Sequence, residues 1–125
     1  MDVMDVSDIT GRIIGCAIEV HRHLGAGLLE SVYEAAMEVE LVAGGLAVER
    51  QKRLPVTYKG CGIGEFRVDL LVEERVVVEL KSVERIEPLF DAQVLGYMRL
   101  GGYSTALLIN FNTRLLKHGI KRFVI

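Results

Sequence analysis

The sequence predicts a mixed α/β protein, a mixed β-sheet flanked by helices in the order α-α-β-β-β-α-β. Three observations carry this reading. Two runs between residues 9 and 41 repeat apolar side chains at helical spacing. Two β-rich runs, 66–72 and 76–81, flank a polar triplet, and Pro88 opens a third periodic run followed by the apolar stretch 105–110. At 125 residues the chain can bury a hydrophobic core without staples, and it reads as one domain over 1–125.

Each element follows from local chemistry. Ser7 or Asp8 can cap a first helix on which Ile9, Ile13, Ile14, Ala17, Ile18 and Leu24 keep helical spacing, and Gly25-Ala26-Gly27 breaks it. A second helix covers about 28–42. Leu29, Val32, Tyr33, Ala36, Met37 and Leu41 form its buried stripe, and Gly44-Gly45 ends it. A strand over about 47–58 contains Pro55, which marks an edge or a bulge. Gly60-Cys61-Gly62-Ile63-Gly64 joins it to the next strand as a flexible loop; lacking a following helix, it is no phosphate cradle. Glu87-Pro88 places proline in the first turn of the third helix, where its missing N–H does no harm. That helix carries Leu89, Ala92, Val94, Leu95 and Met98 and stops at Gly101-Gly102. The strand 105–110 then pairs parallel to 76–81 through a helical crossover, and 119–124 makes a last edge strand.

The hairpin carries the chemistry. If Glu73-Glu74-Arg75 forms a three-residue loop, Val72 opposes Val76, Leu71 opposes Val77, and Asp69 falls opposite Glu79. Lys81 shares a face with Glu79, because side chains alternate along a strand. Two carboxylates facing each other in an apolar hairpin repel and destabilise it. A divalent cation between them reverses the sign. Acid, acid and lysine on one face is what metal-assisted phosphodiester hydrolysis needs: oxygen ligands for a hard cation and an ammonium beside the attacking water. A two-residue loop would put the two acids on opposite faces. The competing reading is an edge strand guarded by charge.

Other constellations are weaker. Gln93 and Tyr97 lie one turn apart on the third helix, hence on one face, and can position a phosphate or a lysine; the alternative is a core-facing tyrosine beside a surface glutamine. Glu30 opens the second helix, either complementing the helix dipole or leaning over the hairpin as a third carboxylate. His21 and His23 point to different faces and, with His118, form no metal set. The bases Arg50, Lys52, Arg53 and Lys59, and Lys117, Lys121 and Arg122 further on, read first as solvated faces.

Composition bounds the partners. The net charge of −2 argues against a strongly basic nucleic-acid coat, so any such contact is local or depends on a second subunit. Cys16 and Cys61 read as free thiols. The acidic start has no apolar signal core and no apolar run reaches membrane-spanning length, so a cytoplasmic protein is expected.

With these residues in hand, the chain resembles the bacterial and archaeal GxxExxY protein family. Gly27-Leu28-Leu29-Glu30-Ser31-Val32-Tyr33 carries the name motif. The similarity continues through Arg67-Val68-Asp69-Leu70-Leu71-Val72, Val78-Glu79-Leu80-Lys81, Leu108-Ile109-Asn110-Phe111-Asn112 and Gly119-Ile120-Lys121-Arg122. That family is placed in the PD-(D/E)XK nuclease-like superfamily, whose restriction-endonuclease-like core is α-β-β-β-α-β with one divalent-metal site. The resemblance implies Asp69 as the motif aspartate, Glu79 and Lys81 as the (D/E)xK pair, and Glu30 as the helical acid. Gln93 and Tyr97 are similar to the Q-x-x-x-Y element of the RecB-like branch. Val68 stands where many members have proline. The expected function is a Mg²⁺- or Mn²⁺-dependent nuclease acting on DNA or RNA, with Asp69, Glu79 and Glu30 on the metal. The rival is a non-catalytic nucleic-acid or protein interaction module keeping the fold. A homo-oligomer whose paired basic strands form the groove is a third reading.

Overall fold

The computed structural model describes residues 4–125; the first three residues of the acidic start lie outside it. Helices α1 (Val6–Leu24) and α2 (Glu30–Ala43) precede strands β1 (Val48–Tyr58), β2 (Cys61–Val72) and β3 (Val76–Lys81). Helix α3 (Pro88–Gly101), β4 (Thr105–Asn110), a short 3₁₀ turn at Leu116–Gly119 and β5 (Ile120–Val124) complete the described chain. The five strands form one sheet in chain order. Only β3 and β4 pair in parallel, as a β–α–β crossover demands; the other neighbours are antiparallel. This is a mixed α+β architecture, a five-stranded sheet flanked by helices.

The sheet separates two cores. On one face Ile9, Ile13, Ala17 and Val20 of α1 and Tyr33, Met37 and Leu41 of α2 pack with Val76, Val78, Leu80, Leu107 and Ile109. On the other, Val94 and Met98 of α3 meet Leu71, Val77, Ala106, Leu108 and Phe123. Strands covered on both sides read as continuous apolar runs, which is why β3 and β4 carry so few polar residues.

Several boundaries differ from the sequence expectation. α1 begins at Val6, with Asp5 at the N-cap position and no side-chain cap bond, rather than behind a Ser7 or Asp8 cap. Ile18 is exposed and Val20 takes its place in the stripe. At about 100° per residue Ile18 stands half a turn away from Ile9. α2 begins at Glu30, and Leu29 and Val32 are exposed rather than buried. The reason is Tyr33, whose hydroxyl donates to the Gly25 carbonyl at 2.6 Å and accepts the Leu28 N–H at 3.2 Å, holding 25–28 out of the helix. Leu89 and Ala92 are likewise exposed on α3. The β1–β2 turn is only Lys59-Gly60, both at positive φ, and Cys61 onward is strand.

The β1–β2 ribbon is longer than the sheet behind it. β2 pairs with β3 only through Leu70↔Val78, Leu71↔Val77 and Val72↔Val76, whereas its pairing with β1 runs from Val72 out to Cys61. The outer part of β2, 61–67, is exposed. Side-chain alternation also slips midway. Val68 packs in the core beneath α3 and Leu70 in the core beneath α1 and α2, although residues two apart on a regular strand share a face. β1 does the same: Val48 joins the first core and Leu54 the second. Both slips bracket the positions Gln51 and Asp69.

Candidate active site

The hairpin register is the one that places Asp69 beside Glu79. The loop is the three residues Glu73-Glu74-Arg75, with Glu73 and Glu74 at positive φ and the Arg75 N–H donating to the Val72 carbonyl at 3.0 Å. The ladder then stops at Leu70↔Val78, one residue short of the acids. There the side chains take over. Asp69 N–H donates to Glu79 Oε1 at 3.0 Å, and Leu80 N–H donates to Asp69 Oδ2 at 2.8 Å.

The electrostatics are those of two acids sharing a dry place. Glu79 is 6% exposed. Burial, then the charge of Asp69, pushes its carboxyl up to about 8, against which the Asp69 N–H and the Lys81 charge pull down. The Asp69 carboxyl is also raised, first by burial, with Glu34 and Glu30 adding repulsion and the Leu80 N–H and Lys81 opposing. Two carboxylates in one low-dielectric site cannot both ionise cheaply, which is why both are raised together. Lys81 is half-buried on the α3 side, its Nζ 4.5 Å from the centre of the Phe90 ring. Tyr97, also half-buried, packs its ring on Phe66 at 5.5 Å between centroids, and its phenol is raised by burial and by the charges of Glu79 and Asp69. Gln93 is exposed one turn earlier and lines an apolar depression of about 240 Å³ with Phe66, Leu89 and Leu100.

Glu30 and Glu34 both bear on Asp69 from α2, in different ways. Glu30 is the exposed first residue of the helix. Glu34, one turn further, is 8% exposed. Its Oε2 accepts from Arg50 Nη2 at 2.9 Å and Nε at 3.2 Å, and its Oε1 from Gln51 Nε2 at 2.7 Å. Sequence reasoning assigned no site role to Glu34, Arg50 or Gln51, Arg50 standing among the bases read as a solvated face. A glutamate between Tyr33 and Met37, inside the apolar stripe, was the available signal for the first; nothing in spacing marks the other two.

The exit from β3 is pinned as well. Asn110, buried beside Lys81 in the parallel pair, accepts the Val83 N–H at 3.1 Å and donates to the Val83 carbonyl at 2.9 Å. Ser82 Oγ donates to the Leu28 carbonyl at 2.6 Å, tying the β3 exit to the segment before α2.

No group of three His, Cys, Asp or Glu side chains among the described residues is arranged to hold a metal ion. Two carboxylates still fit a hard cation, since Mg²⁺ keeps several waters and takes one or two protein carboxylates beside substrate phosphates. No helix among the described residues is long and apolar enough to cross a membrane. A family model described as the PD-(D/E)XK nuclease superfamily matches residues 7–123. No curated protein and no solved structure matches the chain.

Proposed function

The chain belongs to the PD-(D/E)XK nuclease superfamily, and from that premise we propose that it is a Mg²⁺- or Mn²⁺-dependent nuclease hydrolysing phosphodiester bonds in DNA or RNA. The observation that carries the proposal is the reciprocal seating of Asp69 and Glu79, two repelling acids held together without a compensating cation side chain between them. We read the chain as a single catalytic domain of the GxxExxY type.

In this reading Asp69 and Glu79, with the Leu80 carbonyl, hold the cation, and Glu30 supplies an outer acid. Bound there, a divalent ion polarises the scissile phosphate and lowers the pKa of an attacking water. Burial of the pair would strengthen its attraction for a cation held there. Lys81, standing on the same side of β3 as Glu79, orients the water and offsets charge on the phosphorane. The Tyr97 hydroxyl and, from the groove edge, Gln93 position the nucleic-acid backbone. Asn110 and Ser82 keep the segment beyond Lys81 in place, which limits how far the ammonium can wander.

A nuclease assay on DNA and RNA of varied structure with Mg²⁺ or Mn²⁺, beside an Asp69→Ala control, tests it. Cleavage that survives Asp69→Ala would sink the assignment. A non-catalytic module is favoured by one observation: two bases of β1 are already paired within the chain, Arg50 to Glu34 and Glu38 and Lys52 to Glu49. Metal titration separates the two, because a fold that takes up no divalent ion leaves only the module.

A further inference from the structure

Gln51 lies in the middle of β1 with φ of +53°, a conformation that costs any residue with a side chain and is rare inside a strand. The residue is exposed, so no apolar burial offsets the strain. Nor does the pairing require it. Arg50↔Leu70 on one side and Lys52↔Val68 on the other keep the same register, and between them Gln51 and Asp69 drop out of the ladder. No extra residue is being absorbed.

What the strained backbone achieves is the placement of one amide between two acids. Gln51 Nε2 donates to Glu34 Oε1 at 2.7 Å and reaches Asp69 Oδ1 at 3.4 Å. The other oxygen of each acid is already held, Glu34 Oε2 by the Arg50 guanidinium and Asp69 Oδ2 by the Leu80 N–H. An amide carries two N–H donors, so it can serve both carboxylates at once. Each Asp69 oxygen then has one donor and keeps lone-pair room for a cation.

We propose that Gln51 is a positioning residue, its amide locking Asp69 in the orientation that takes a divalent cation while shielding it from the buried Glu34. The proposal rests on the reading of Asp69 as a metal ligand. Hydrogen-bond partners of ligating carboxylates orient them and tune the site, and backbone strain gathers where function over-determines geometry.

The test measures Mn²⁺ binding by calorimetry, and the melting temperature of the metal-free protein, in Gln51→Leu, Gln51→Gly and Asp69→Ala. Gln51→Leu should weaken Mn²⁺ by about 10–100-fold, the usual effect of losing such a partner. Gln51→Gly removes the amide but accepts positive φ freely. It should lose affinity in the same range while melting above Gln51→Leu, since glycine alone relieves the strain. Equal loss of metal in two variants of unequal stability is what a merely structural glutamine would not give. Parental affinity in both Gln51 variants, with binding lost in Asp69→Ala, would overturn the inference and leave the metal site standing. Parental binding in Asp69→Ala would overturn the metal reading itself, and this proposal with it.

Discussion

Asp69 and Glu79 each accept a backbone hydrogen bond from the other's strand: Leu80 N–H to Asp69 at 2.8 Å and Asp69 N–H to Glu79 at 3.0 Å. The two side chains thereby stand in for the carbonyls of a ladder that ends one residue earlier. Both acids are oriented before any ligand arrives, and groups held in place beforehand spend little on ordering when they bind.

Glu79→Gln keeps an oxygen for the Asp69 N–H and removes the buried carboxyl that Asp69 would repel once ionised. The metal-free variant should melt at or above the parental temperature, while the stabilisation that added Mg²⁺ confers on the parent disappears, because a ligand that binds only the native state acts by mass action. Thermal melts with and without Mg²⁺ check it. A large loss of stability in the metal-free variant would make Glu79 a structural residue.

The raised carboxyls fix the sign of a pH dependence. Glu79 moves from an ordinary 4.5 up to about 8, and Asp69 moves the same way. Between those values the native state holds protons that the unfolded chain has released. The pair's contribution to metal-free stability is therefore fully present below pH 4.5 and is lost as pH rises towards 8. Denaturant unfolding at a series of pH values measures this, and Glu79→Gln should flatten the curve. Cation affinity should run the opposite way, rising with pH as the carboxyls ionise.

Lys81→Met keeps a long apolar stem over Phe90 and removes only the ammonium. Mn²⁺ should bind as tightly or more tightly, since a positive charge has left the vicinity. Cleavage should fall by roughly 10²–10³, the usual loss on deleting one preorganised charge-stabilising group. Parental cleavage rates in this variant would make Lys81 a solvated charge.

The Glu73-Glu74 turn offers a stability test away from the site. Glu73 is engaged, its Oε2 accepting the Ala47 N–H at 2.6 Å, whereas Glu74 is exposed at φ +55°. Glu74→Gly should stabilise by about 0.5–1 kcal/mol, strain relief exceeding the entropy that glycine loses on folding. Chemical denaturation reads it directly, with metal binding unchanged.

The hairpin was legible because two β-rich apolar runs flank a polar triplet; of the two loop lengths open to it, the three-residue one found here brings Asp69 to Glu79. Pro88 marked α3 for an equally local reason. The start of α2 was not legible: a tertiary bond from Tyr33 to Gly25 decides it. Glu34 and Gln51 escaped for the same cause. Their significance lies in an amide bridging two carboxylates across three elements, and no spacing rule encodes a backbone dihedral at position 51.

The ribbon that outruns β3 divides the molecule by how readily its amides meet solvent. Along 61–67 the residues are exposed and pair with a single neighbouring strand, so exchange with deuterated water should proceed there by local fraying. In β3 and β4, buried and paired on both sides, it should wait for global unfolding. Asp69 stands at the frontier between those regimes, anchored to the slow side through Leu80 and joined to the fast side through its own strand.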